Sequence, residues 1–133
     1  MKILIIHGPN MNLLGLRSAS KGKKVTLDKV NRHIRRYIRD KGIEIKIIQA
    51  HDENKVVSYL HRNRNKFEGM ILTPGAWGQS AFILEETIEL ISLDYISIVL
   101  DKTQKINILK GKKTIYNSDI YLSFETAINN YIN

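Results

Sequence analysis

Short apolar runs bounded by turn residues alternate with amphipathic stretches along nearly the whole chain, and few folds accept that alternation. Apolar runs of strand length separated by helix-period segments are the pattern of βα units on a parallel sheet. Lys2 to His7 reads as a buried strand, and Gly8, Pro9 and Asn10 then force a turn. Thr26 suits the N-cap of a helix reaching about Lys41, with Leu27, Val30, Ile34 and Ile38 on one face and Gly42 as its stop. Ile43 to Gln49 reads as a second strand, and Glu53 to Lys66 as a helix turning Val56, Val57 and Leu60 inward. Met70 to Leu72 is a third strand. Ser80 to Ser92 is a helix carrying Phe82, Ile83, Thr87 and Ile91, and Tyr95 to Leu100 is a fourth strand. Ile106 to Leu109 and Lys113 to Leu122 look extended, and Phe124 to Ile132 closes the chain as a helix.

Right-handed crossovers between such strands give a flavodoxin-like, three-layer doubly wound parallel sheet of about five strands in the order 2-1-3-4-5. With 133 residues and no internal repeat or low-complexity segment, one domain spanning 1–133 is expected. The longest apolar runs, Ile3 to Ile6 and Tyr95 to Leu100, fall far short of the roughly 20 residues that cross a bilayer, and no leader precedes them. A soluble cytoplasmic protein without a membrane partner is the expectation. The absence of cysteine removes disulfides, thiolate nucleophiles and Cys-ligated metals.

The formal net charge of +8 is clustered. Lys21, Lys23 and Lys24 share a loop, Arg32, Arg35, Arg36 and Arg39 lie along one helix, and Arg62, Arg64 and Lys66 end another. Such clusters can bind a phosphate backbone or merely solvate a surface. No zinc-finger, RNP-type or KH-type motif accompanies them, so the solvated surface is the reading taken.

In doubly wound sheets ligands sit beyond the carboxyl ends of the strands where the strand order reverses, here between strands 1 and 3. The loops at those ends, His7 to Asn10 and Thr73 to Trp77, are the most strongly Gly/Pro-marked in the chain. The first continues through Asn12 to Arg17. Its carboxamides, on Asn10 and Asn12, can hold a water or hydroxyl, or can simply cap turns; Arg17 can pair with a carboxylate or a developing anion. His51-Asp52 could form an acid/base couple, though a polar turn before a helix is the simpler reading. The four histidines, His7, His33, His51 and His61, show no metal-ligand spacing, and Gly8 and Gly75 form no dinucleotide-binding G-x-G-x-x-G. Neither metal nor cofactor is expected.

Ile3-Leu4-Ile5-Ile6-His7-Gly8-Pro9-Asn10-Met11-Asn12-Leu13-Leu14-Gly15-Leu16-Arg17 resembles the N-terminal signature of the type II 3-dehydroquinate dehydratases, a strand followed by N-G-P-N-L-N-x-L-G-x-R-E-P. Thr73-Pro74-Gly75-Ala76-Trp77-Gly78-Gln79-Ser80 is similar to that family's N-P-G-A-Y-T-H-T loop, and Gln49 to Glu53 to its Q-S-N-x-E segment. The resemblance implies a shikimate-pathway lyase that removes water from 3-dehydroquinate through an enolate, without a cofactor. In the family a loop tyrosine is the base and the arginine lowers its pKa. The first-loop asparagine positions a water, and the histidine of the second loop protonates the departing hydroxyl. By resemblance Arg17 and Asn10 retain catalytic positions, while Asn12, Thr73, Gly75, Trp77, Gln79, Asp101 and Lys102 occupy substrate-binding ones.

The acid and the base do not carry over. Aligned without gaps, Gly22 stands at the tyrosine's position and Gln79 at the histidine's. Thr73 replaces the asparagine that opens the second loop. The family's E-V-H-L-S-N after strand 4 becomes Ser97-Ile98-Val99-Leu100-Asp101-Lys102, where Val99 donates no hydrogen bond and Lys102 would have to neutralise Asp101. Lys110 is the counterpart suggested for the family's later arginine. Trp77 stands for the family's aromatic wall, either packed or stacking on a ligand.

The expectation is therefore a divergent member with a small-anion pocket for a 3-dehydroquinate-like ligand, and little or no dehydratase activity. The alternatives are an active lyase with relocated groups, such as Lys21 or His7, and an interaction module using the basic helix. Family members form trimers that assemble into dodecamers, so a homo-oligomer is implied, although Glu85-Glu86 replaces the family's Arg-Asp.

Overall fold

The computed structural model describes residues 1–15, 24–101 and 106–132. Its centre is a five-stranded parallel sheet in the order β2-β1-β3-β4-β5, formed by Lys2–His7, Glu44–Gln49, Gly69–Thr73, Tyr95–Val99 and Lys113–Tyr116. Strands β1, β3 and β4 are buried almost throughout, because helices cover both faces of a parallel sheet.

The strand period of two assigns side chains to faces. Ile3 and Ile5 of β1 meet Val30 and Ile34 of α1 (Leu27–Ile38) and Phe124 and Ile128 of α5 (Ile120–Ile132). Leu4 and Ile6 point the other way, into Val56 and Leu60 of α2 (Glu53–Asn63) and Leu84 and Ile88 of α4 (Phe82–Leu90). A single turn, α3 (Trp77–Ser80), precedes α4.

Helix α1 starts where its sequence demands. Thr26 is extended (φ −106°, ψ 158°), and its hydroxyl accepts a hydrogen bond from the Lys29 amide at 3.2 Å. Thr26→Ala should cost about 1 kcal/mol by orphaning that donor. In thermal denaturation this lowers Tm by about 4 °C, while Thr26→Ser should recover most of the loss.

Three expectations need correction. Phe82 and Ile83 do not face the core: they are 63% and 60% exposed, whereas Leu84, Thr87 and Ile88 are buried. Ala81 (φ −82°, ψ 62°) separates α3 from α4 and resets the phase of the helix, and the Leu84 amide is held by the Glu53 carboxylate at 3.0 Å. In the tail, the strand ends at Tyr116 and the helix begins at Ile120, so Ile120 to Leu122, which read as extended, are helical. Asn117 and Asp119 decide this, since their side chains accept hydrogen bonds from the amides of Asp119 (2.9 Å) and Leu122 (3.1 Å) and start the helix. Ile106 to Leu109 forms no strand; the buried Asn107 carboxamide bridges both the amide and the carbonyl of Leu109. No described helix is long and apolar enough to cross a membrane.

Candidate functional site

At the carboxyl edge of the sheet the register sets Gln49, His7 and Thr73 side by side as the last residues of β2, β1 and β3. The loops that follow are tied together. The Gly8 amide donates to the Thr73 carbonyl at 2.9 Å, and the Ala50 amide to the His7 carbonyl at 3.0 Å. The Gln49 carboxamide reaches the Gly8 carbonyl at 3.4 Å. The Asn10 amide donates to His51 Nδ1 at 3.1 Å, latching the loop after β1 to the loop after β2.

Local chemistry shapes each loop. Asn10 adopts a left-handed conformation (φ 64°) that asparagine tolerates, and a 3-10 turn over Met11–Leu13 follows. Met11 and Leu14 plug into the core, at 7% and 8% exposure, which leaves Asn10 and Asn12 in solvent. Gly75 also takes positive φ (53°) on an exposed bend, facing the Pro9 carbonyl. Trp77 is 7% exposed and packs within the α2/α4 core, so it is a packed aromatic. Gln79 is exposed, Val99 is buried, and Asp101 is exposed where β4 ends. Asp52 caps α2 by accepting from the Asn54 amide at 2.8 Å, as a polar turn does. Arg17, Gly22, Lys21 and Lys102 lie outside the described residues.

His7 was identified as a possible substitute proton donor, and its surroundings oppose that role. The ring is fully buried, meets Phe124 edge-on, and has both nitrogens engaged: Nε2 with Asn31 Oδ1 at 2.8 Å and Nδ1 with Thr73 Oγ1 at 3.4 Å. Burial pushes its pKa down to about 4, against the upward pull of Asn31. It is therefore neutral at pH 7. Asn31 itself escapes a reading of the sequence, because its significance lies only in facing His7 across the α1/β1 interface.

The depressed value has a consequence for stability. Between about 6.5 and about 4 the unfolded state binds the proton that folded His7 refuses, so stability falls as pH falls through that window. The loss should approach about 3 kcal/mol once pH is below the folded value. Urea denaturation of the protein and of His7→Gln from pH 7 down to about 4 checks this. The variant should lack this part of the acid loss, and parallel curves would refute it.

Among the described residues no group of three His, Asp or Glu could hold a metal ion. A family model described as "Dehydroquinase class II" matches residues 1–121. The chain is 33% identical over 100 residues to the 3-dehydroquinate dehydratase of Pelotomaculum thermopropionicum, covering 75% of this chain and 69% of that one. It is 28% identical to the enzyme of the same name from Geotalea daltonii, over 99% of each. In structure it is similar to the type II dehydroquinase from Butyrivibrio crossotus, with TM-score 0.87 and 22% identity over 97% of this chain and 95% of that one. It is also similar to a 3-dehydroquinate dehydratase-like protein from Bifidobacterium longum, with TM-score 0.71 and 16% identity over 100% and 99%.

Proposed function

Since the chain belongs to the class II dehydroquinase family, we propose that it keeps the family's small-anion pocket at the β1/β3 edge but performs little or no dehydration of 3-dehydroquinate. The reading is carried by Gly22 and Gln79, which the resemblance sets at the positions of the family's base and acid. Glycine offers no proton acceptor, and a carboxamide neither gains nor loses a proton near neutral pH.

Asn10, Asn12 and Arg17 would bind the ligand's hydroxyls and carboxylate, with the Thr73 to Gln79 loop as the facing wall and Asp101 with Lys102 at the end of β4. Support comes from the exposed placement of Asn10, Asn12 and Gly75 on neighbouring loops and of Gln79 on α3. The single domain would assemble as a homo-oligomer, a trimer or dodecamer as in the family, and would act in the cytoplasm without a cofactor. Burial and double hydrogen bonding of His7 count against the reading in which that residue replaces the acid.

The test is incubation of purified protein with 3-dehydroquinate, following the conjugated enone by ultraviolet absorbance and ligand binding by calorimetry, with Arg17→Ala beside it. Binding without turnover, lost in Arg17→Ala, is the expected result. Robust turnover lost in Arg17→Ala would sink the proposal.

A further inference from the structure

A second site, on the opposite side of α1 from its core face, is marked by concentrated charge. Lys29, Arg32 and Arg36 recur at one-turn spacing, within about 60° of arc and about 10 Å along the helix. They line an open cleft of about 350 Å³ together with His33 and Tyr121, the latter from α5. Among the described residues no carboxylate lines it.

The floor of the cleft is organised. His33 is half-buried, its Nε2 lies 2.7 Å from Glu125 of α5, and its ring meets Tyr121 edge-on at 4.9 Å and Tyr37 in a stack at 6.4 Å. Glu125 is thus engaged from α5, and Asp28, one turn before Arg32, pairs with that guanidinium at 3.0 Å. Both groups of the Arg32 pair are largely exposed, so water already competes for it and an anion can as well. Among the described residues neither Lys29 nor Arg36 has an ion-pair partner.

We propose that this cleft binds a phosphoryl group carried by a small molecule, with Arg36 and Arg32 as the guanidinium forks, Lys29 as the point charge and Tyr121 as the wall. Guanidinium forks match the paired oxygens of a phosphate, and charge-assisted hydrogen bonds are roughly twice as strong as neutral ones. The size of the cleft suits a phosphate or diphosphate with a small attached group better than a long polymer. A nucleic-acid backbone would instead engage the whole basic face, Arg35 and Arg39 included.

The experiment titrates inorganic pyrophosphate calorimetrically into the full chain at low salt. Binding weakened about 10-fold in Arg36→Ala and by at most about twofold in Arg35→Ala, outside the cleft on the same helix, is the expected result. Arg36→Lys, which keeps the charge and loses the fork, should fall between and guards against misfolding of the alanine variant. No heat of binding, or equal weakening by Arg35→Ala and Arg36→Ala, overturns the site. A single-stranded oligonucleotide that binds more tightly than pyrophosphate and loses affinity with Arg39→Ala would assign the face to a polyanion and overturn it too.

Discussion

Turnover of 3-dehydroquinate by this protein is expected to be at least about 10⁴-fold slower than by a type II dehydroquinase with its acid and base intact. Each such group typically supplies about 10²- to 10⁴-fold, because neither the carbon-bound proton nor the hydroxide departs readily at neutral pH. On the proposed alignment both positions would be chemically silent: Gly22 has no side chain, and Gln79, exposed on α3, carries a group without a usable pKa. Residues that act as one unit lose activity together, so Gln79→His alone should restore little while Gly22 remains. Continuous absorbance assays on the protein and on this variant measure both. Rates within about 100-fold of the family's would show that another group has taken over, and His7 would be the poorest choice, being buried and neutral at pH 7.

Gly8→Ala is expected to destabilise the fold by about 3 kcal/mol, lowering Tm by roughly 10 °C. A methyl group at that position would stand 2.5 Å from the Thr73 carbonyl oxygen and 2.9 Å from that of Pro74. Both neighbours are backbone, and the Thr73 oxygen already accepts the Gly8 amide at 2.9 Å, so relief requires β1 and β3 to part where the candidate pocket begins. Thermal denaturation measures the loss. Gly75→Ala is the useful contrast, since the nearest atom to its added methyl is the Pro9 carbonyl oxygen at 3.6 Å and the strain there comes from φ alone. A Gly8→Ala protein as stable as the parent would show that the strand ends yield more easily than close packing allows.

What was readable in the chain is what local chemistry controls. The run Lys2 to His7 reappears as β1 with the same bounds, Thr26 caps α1 as its hydroxyl and position require, and the strand order follows from handed crossovers. The candidate loops could be found for the same reason, since a doubly wound sheet exposes its strand ends where the order reverses. The helix phase around Ala81 could not, because Phe82 and Ile83 obey helical spacing as well as Leu84 and Ile88 do.

The sequence by itself determined the parallel sheet, its order and the placement of the switch-point loops. Those depend on hydrophobic period, chain handedness and residue identity. Only the tertiary structure decided that His7 is a neutral core residue held by Asn31 and Thr73, that His51 latches the first loop, and that Tyr121 lines a cleft with Lys29, Arg32 and Arg36. These partners lie far apart in the chain, from 24 residues between His7 and Asn31 to 92 between Lys29 and Tyr121. A proton's affinity depends on the burial and charge around its site, and that environment exists only once the distant segments have packed.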